Sequence, residues 1–160
     1  LLKDGIDYAK ALGGYVDLTT SSDPDFLEED EVKAATGLRL MLEQGVPGNQ
    51  ITFSSDGQGS MPIFDHDGAF LGLGVGKVTS LYREVRDAIL TEGVEIPQAL
   101  RTVTANPADL LKLKGKGRIA AGMDADLVLV EEGTLAIHSV LAKGQLMVQK
   151  GEAVKKGTFE

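Results

Sequence analysis

The sequence predicts an α/β fold that ends in a small β module, and three observations support this prediction. Runs rich in β-branched and apolar residues at 15–20 and 50–55 flank a helical pattern at 27–44. This strand–helix–strand order is typical of two parallel strands joined by a helix. From residue 115 onward the chain changes to short strands separated by glycines. The 160 residues, 42% apolar and 25% charged, suit about one globular domain.

The other elements follow from periodicity and from stop signals. A first helix is predicted from Leu2 to Leu12, where Gly13 and Gly14 provide the residues that end a helix. No capping residue precedes this helix, so we expect the chain to begin inside a longer protein, with ordinary N-terminal processing as the alternative. A Gly-rich loop is predicted over 57–77. The remaining predicted elements are helices at 78–91, 96–104 and 107–111, and strands at 127–130, 137–141, 145–148 and near 153.

Charge and cysteine content exclude several classes of function. Asp plus Glu is 24 and Lys plus Arg is 16, a net charge of −8, so we expect no nucleic-acid partner and no anionic membrane surface. The chain has no cysteine, which excludes disulfides, thiolate zinc sites and cysteine nucleophiles. No apolar run approaches the roughly 18 residues of a membrane span, and no signal-peptide pattern opens the chain. We therefore predict a cytoplasmic protein.

Asp56 is the strongest candidate for a catalytic residue. It follows the second predicted strand directly, in the segment SSDGQGS at 54–60, and catalytic groups of parallel α/β sheets lie at the carboxyl ends of strands. Glycines on both sides of Gln58 let the backbone turn sharply and leave room for a substrate. On position alone, an ordinary Asp-Gly turn is an equally good interpretation.

Other polar segments are interpreted as structural. The acidic stretch at 23–31 has carboxylates favoured at a helix N-terminus but no spacing typical of a metal-binding loop. His66 and His138 are 72 positions apart, without a zinc-ligand spacing, and we expect both to lie on the surface. The segment GLGVG at 72–76 lacks the spacing of a dinucleotide-binding loop. No GxSxG motif is present.

Several motifs carry a family resemblance. The segment ITFSSDGQGSMP at 51–62 resembles the region around the last barrel strand of isoaspartyl dipeptidases, which belong to the amidohydrolase superfamily, and GGYVDLT at 13–19 resembles the preceding strand. GRI at 117–119 followed by GMDADL at 122–127 is similar to a superfamily signature. The resemblance implies the C-terminal portion of a TIM-type (β/α)8 barrel over 1–112, and the C-terminal part of a β-sandwich over 113–160.

The resemblance also implies a reaction. Members of this family hydrolyse the isopeptide bond of isoaspartyl dipeptides with a hydroxide activated by two Zn²⁺ ions. Only the family's aspartate ligand maps onto this chain, to Asp56, which would bind one metal and transfer a proton from the hydroxide to the leaving amine. Ser60 matches the serine that hydrogen-bonds the substrate's α-carboxylate. The four histidines and the carboxylated lysine would lie upstream, so we expect this segment alone to hold no zinc and to be inactive.

Alternatives to this interpretation differ in class. Another amidohydrolase, related to dihydroorotase or D-aminoacylase, is one, and Ser60 discriminates because a cyclic-amide hydrolase has no free α-carboxylate to bind. A non-catalytic assembly module is the other. The resemblance further implies a homo-oligomer, an octamer in the family. A two-strand part of a barrel is also expected to leave strand edges and an apolar sheet face uncovered, which favours association.

Overall fold

The chain divides into two compact units, Leu1–Pro107 and Ala108–Glu160. The computed structural model describes residues 2–21 and 32–157. The boundary between the units lies five residues before the predicted one at 112. No helix in these described ranges is long and apolar enough to cross a membrane.

The first unit combines helices with two separate two-stranded sheets. Its core lies between the helices and one face of the β1–β2 pair, and contains Leu38, Met41, Ile51 and Val85, each fully buried. The elements are α1 (Leu2–Leu12), β1 (Val16–Thr19), α2 (Ala34–Glu43), a 3₁₀ turn (Gly48–Gln50), β2 (Ile51–Ser54), β3 (Ser60–Phe64), β4 (Phe70–Val75), α3 (Ser80–Leu90) and α4 (Ile96–Arg101). The unit ends within α5 (Ala105–Leu110).

The first two helices show what sets helix ends in this chain. Helix α1 ends as predicted, because Gly13 adopts a φ of +66° and its N–H donates to the carbonyl of Ala9. The second helix was predicted to begin near residue 27 and so to include residues 32 and 33, and for these two described residues the prediction is wrong. Residues 32 and 33 are not helical, and α2 begins at Ala34. The other part of that prediction, and the acidic stretch at 23–31, lie outside the described residues.

The predicted parallel strand pair is confirmed. Strand β1 pairs with β2 in parallel, from Val16 opposite Ile51 to Thr19 opposite Ser54. One face, with Ile51 and Phe53, packs into the core. The opposite face is not the uncovered apolar surface that was expected: its side chains are polar, namely Asp17, Thr19, Thr52 and Ser54.

The predicted Gly-rich loop over 57–77 is wrong, because most of it forms a β-hairpin. Strands β3 and β4 pair antiparallel, from Ser60 opposite Val75 to Phe64 opposite Phe70. The tip closes where the carboxylate of Asp65 accepts the backbone N–H groups of Asp67 and Ala69, at 3.0 and 2.8 Å. Glycines interrupt the apolar alternation of β4, which hides the period of a strand in the sequence.

A buried asparagine ties the last helices to β2. The Nδ2 of Asn106 donates to the carbonyls of Gly48 and Ile51, at 2.7 and 2.6 Å, and its Oδ1 accepts from Nε of Arg101 at 3.1 Å. Only 1% of Asn106 is exposed. The side chain therefore donates to two backbone carbonyls at the entrance to β2.

The second unit is a four-stranded antiparallel sheet, close to the predicted β module. Its strands are β5 (Leu127–Val130), β6 (Ile137–Ala142), β7 (Gln145–Gln149) and β8 (Glu152–Ala153), paired in chain order. Asp126 accepts the backbone N–H of Lys143 in the β6–β7 turn and pairs with Lys116. Hydrogen bonds from Lys116 and from that N–H lower the pKa of Asp126. The GMDADL signature thus stabilises this sheet.

Glu92 links the end of α3 to α2 and gives the first unit a pH-dependent contact. Its two carboxylate oxygens accept from Thr36 Oγ1 at 2.6 Å and from Arg39 Nε at 2.7 Å. The hydrogen bond from Thr36, then that from Arg39, lowers the pKa of Glu92. A lowered carboxyl pKa means that this stabilisation is complete above the pKa of the unfolded chain and is lost as the pH falls through the folded pKa.

Replacing Glu92 with Gln tests that contact. We expect Glu92→Gln to lower the unfolding free energy by about 1 kcal/mol at neutral pH, a modest value because the partner Arg39 is partly exposed. The difference from the wild type should shrink as the pH falls below 4.5, the ordinary value for this group. Urea denaturation between pH 3 and 7 measures it. Glu43→Gln, which removes the other carboxylate beside Arg39, is the control and should change stability less. A difference independent of pH would contradict the assignment.

Candidate active site

Asp56 lies where the sequence predicts it, two residues beyond the carboxyl end of β2. It opens a tight turn in which its carbonyl accepts the N–H of Gly59 at 2.9 Å. Asp56 adopts a φ of +45°, which non-glycine residues seldom do. The side chain is exposed to solvent and folds back over Gly59: a Cβ at Gly59 would lie 2.9 Å from both carboxylate oxygens. The carboxylate is thus presented by a strained turn on a rigid strand.

Ser60 lies at the start of β3, directly after that turn. Its side chain is exposed, and it pairs with Val75 across the hairpin. Asp56 and Ser60 therefore belong to a single turn-and-hairpin segment. This segment is fixed to the end of β4, since the N–H of Gln58 donates to the carbonyl of Gly76, and the N–H of Gly76 donates to that of Gly59, both at 2.9 Å.

A second carboxylate, which no sequence motif indicated, lies beside β2. Asp17 of β1 accepts the hydroxyl of Thr52 at 2.6 Å and also that of Ser54. All three side chains are on the polar face of the pair, and Ser54 is two residues before Asp56. The signal was present in the sequence: an acid between Val16 and Leu18 in a short strand must lie on the face opposite theirs.

The carboxyl end of β1 is fixed by a buried polar cluster. Thr20 and Ser80 share a hydrogen bond of 2.7 Å between their hydroxyls, and the carbonyl of Thr20 accepts from Arg83 at 3.1 Å. Next to Arg83, Glu84 is 2% exposed and accepts the N–H of Ala35 at 3.0 Å, in the first turn of α2. The cluster holds β1, α2 and α3 together near the strand ends, and no local pattern in the sequence indicated it.

Neither histidine lies in a metal-ligand arrangement with Asp56. The His66 side chain is 87% exposed, as expected for a surface residue. It is next to Asp65 and Asp67, and one ligand atom from each of these three residues lies within 4.8 Å of the others. Asp65 already accepts two backbone N–H groups there, so the group is explained as the hairpin turn. His138 lies in the other unit, hydrogen-bonded to Ser139.

The donor set around Asp56 decides whether zinc fits. Catalytic zinc takes about three protein ligands. Within the described ranges, the one group of three or more His, Cys, Asp or Glu side chains close enough to share an ion is the hairpin turn at 65–67. Asp56 could supply one oxygen ligand, and the residues at 2–21 and 32–157 bring no further His, Cys, Asp or Glu group together with it that could share an ion.

Comparison with known proteins places the chain in a family. Residues 4–154 match the Amidohydrolase family. Among solved structures, the β-aspartyl dipeptidase of the thermophilic, keratin-degrading Fervidobacterium islandicum AW-1, in complex with the β-Asp-Leu dipeptide, is 38% identical with a TM-score of 0.80. A second structure of the dipeptidase from this organism is 33% identical to this chain, with a TM-score of 0.76. An adenine deaminase of Dehalococcoides mccartyi is 27% identical over 154 residues.

The chain corresponds to only part of these proteins. The match covers 99% of this chain but 39% of the dipeptidase in complex and 37% of the second structure. For the deaminase, the match covers 92% of this chain and 27% of the deaminase. The α/β architecture, with its parallel strand pair and appended antiparallel sheet, is that of the C-terminal part of a TIM-barrel amidohydrolase. With the family pattern matched over nearly its whole length, this chain belongs to the amidohydrolase family.

Proposed function

We propose that this chain is the C-terminal part of a β-aspartyl dipeptidase, which hydrolyses the isopeptide bond of isoaspartyl dipeptides. The observation that carries the proposal is the turn after β2, which presents the exposed carboxylate of Asp56 and continues directly into Ser60. Likeness to the Fervidobacterium dipeptidase, whose structure contains a β-Asp-Leu dipeptide, supports this substrate class. The complete enzyme of this proposal is a protein in which this chain is joined to the rest of the barrel.

Asp56 is the proton-transfer group of the proposed reaction. Its carboxylate accepts a proton as water attacks the amide carbon, and returns it to the leaving amine, so that the C–N bond breaks with a neutral leaving group. An exposed carboxylate at the end of a barrel strand can reach a substrate in the barrel mouth. The strained turn keeps it in one position, which proton transfer over hydrogen-bond distance requires.

Zinc is proposed as the cofactor of the complete enzyme, with Asp56 as one ligand. When bound, zinc lowers the pKa of a coordinated water and so supplies a nucleophile at neutral pH. The remaining ligands would come from parts of the barrel outside this chain. On its own the chain is therefore expected to lack tightly bound zinc and to be inactive.

Ser60 is proposed to bind the free α-carboxylate of the substrate. An isoaspartyl residue keeps this carboxylate free because its peptide bond runs through the β-carboxyl group. A hydroxyl donor at the rim of the Asp56 turn can recognise that charge. The interpretation also separates this reaction from cyclic-amide hydrolysis, in which no such carboxylate is present.

A substrate panel tests the proposed function. We expect the complete enzyme to hydrolyse β-Asp-Leu and to leave α-Asp-Leu unchanged, because only the former presents an isopeptide bond with a free α-carboxylate. Adenine is included, since the similarity to an adenine deaminase also extends over most of the chain. Release of leucine, with no ammonia from adenine, is the expected result. Deamination of adenine without dipeptide hydrolysis would reject the proposal.

Replacing Ser60 with Ala tests its role separately. Hydrogen bonds to charged groups contribute roughly 1.5–3 kcal/mol, so we expect Ser60→Ala to lower kcat/KM for β-Asp-Leu by about 10- to 100-fold. The same substitution should have little effect on the analogue whose α-carboxylate is an amide. Thr79→Ala, in the loop before α3, is the control. Equal losses on both substrates would show that Ser60 does not bind the carboxylate.

A further inference from the structure

Gly76 lies against Asp56 although the two residues are 20 positions apart. A Cβ built on Gly76 would lie 2.5 Å from the carbonyl oxygen of Asp56 and 3.4 Å from its carbonyl carbon. Protein Cβ atoms essentially never approach another atom within 3.0 Å, and backbone atoms held by hydrogen bonds cannot move away cheaply. Any side chain at residue 76 must therefore displace the Asp56 peptide or the end of β4.

The hydrogen bonds around Asp56 show why this contact fixes its position. Gly76 bonds both Gln58 and Gly59 through its own carbonyl and N–H. The N–H of Gly59 in turn donates to the same Asp56 carbonyl that faces Gly76. The contact and these three hydrogen bonds together restrain the peptide group between Asp56 and Gly57. Asp56 is held in its left-handed conformation from two sides, by its own turn and by the end of the hairpin.

We propose that Gly76 is a positioning residue for Asp56. The absence of a side chain lets the end of β4 close against the Asp56 carbonyl, and this contact fixes the backbone that carries the carboxylate. The hairpin thus has a function that its exposed position does not suggest. Its second strand brings the chain back to the Asp56 turn, where Gly76 contacts Asp56. The inference rests on the proposed function for its catalytic consequence, while its structural part can be measured without activity.

Gly74 provides a matched control two residues earlier in β4. A Cβ at Gly74 would meet the Cδ1 atom of Ile63 at 3.3 Å, the far end of a flexible and partly exposed side chain. Both glycines lack a positive φ, so alanine at either position tests space rather than backbone conformation. The two alanine substitutions differ in what the new methyl group touches.

Amide hydrogen exchange of this chain provides the first test. Gly76→Ala should displace the Asp56 carbonyl and weaken its hydrogen bond from Gly59, so the Gly59 amide should exchange at least tenfold faster than in the wild type. Gly74→Ala should leave that rate unchanged. Exchange of core amides in β2 reports whether the variant is folded. Unchanged Gly59 exchange in a folded Gly76→Ala protein would overturn the proposal.

Kinetics of the complete enzyme provide the second test. We expect Gly76→Ala to lower kcat for β-Asp-Leu by 10- to 100-fold, since a displacement of about 1 Å can cost 10²-fold, with KM and zinc content close to wild type. In an Asp56→Asn background the same substitution should have no further effect on kcat, because it acts through that carboxylate. A full additional loss there would assign Gly76 a different role. If the unmodified enzyme hydrolyses no isoaspartyl dipeptide, the proposed function fails, and the exchange rates still decide whether Gly76 holds the turn.

Discussion

Asp56→Asn should lower kcat of the complete enzyme for β-Asp-Leu by at least ~10², the contribution typical of a positioned proton-transfer group. Asparagine keeps the shape of the side chain and one oxygen, but it cannot accept the proton that the attacking water loses. Much of the zinc should be retained by ligands outside this chain, and KM should change less than kcat. Initial rates and elemental analysis of the purified variant measure both.

The same variant separates catalysis from a purely structural turn. Asparagine tolerates a φ of +45° as well as aspartate does, so the turn should survive and the melting temperature should stay near that of the wild type. Asp67→Asn, at the exposed tip of the hairpin, is the matched control and should have wild-type kcat. An Asp56→Asn enzyme with wild-type kcat and full metal content would show that Asp56 has only a structural role in the turn.

Asn106→Ala should have the largest effect on stability among single polar substitutions in the first unit. It leaves the carbonyls of Gly48 and Ile51 without their donor, and each unsatisfied buried group costs about 1–3 kcal/mol. We therefore expect the unfolding free energy to fall by about 3 kcal/mol. Urea denaturation followed by circular dichroism measures the change.

Two further variants make the Asn106 result specific. Asn106→Asp keeps the volume but places a carboxylate against two carbonyl oxygens, so it should be at least as destabilising as alanine. Asn49→Ala, at an exposed position in the neighbouring 3₁₀ turn, should change stability by less than about 0.5 kcal/mol. A loss at Asn106 no larger than that at Asn49 would contradict the role assigned to these hydrogen bonds.

Local patterns were sufficient for the first helix and for the parallel strand pair that precedes Asp56. The first helix ends at its predicted glycine, and the strand before Asp56 pairs in parallel with the strand predicted for it, because helix stops and strand alternation depend on neighbouring residues. The hairpin was missed for the same reason: glycines in β4 break the local period that identifies a strand.

Contacts between distant residues account for what the sequence could not predict. Asn106 contacts backbone that is 55 and 58 positions away. Gly76 can approach the Asp56 carbonyl because it has no side chain. No local period or motif encodes such contacts. The roles of Asp56 and Ser60, an association between copies of the chain, and a cytoplasmic location remain predictions.

The position of the metal relative to Asp56 tests the central claim most directly. A crystal structure of the complete enzyme, grown with zinc and solved with anomalous data at the zinc edge, measures it. We predict an anomalous peak within about 2.0–2.2 Å of an Asp56 carboxylate oxygen, the distance of a zinc–carboxylate bond, with Gly76 still against the Asp56 carbonyl. A fully occupied zinc centre in the barrel mouth that Asp56 does not contact would contradict the assignment of Asp56 as a metal ligand and proton-transfer group.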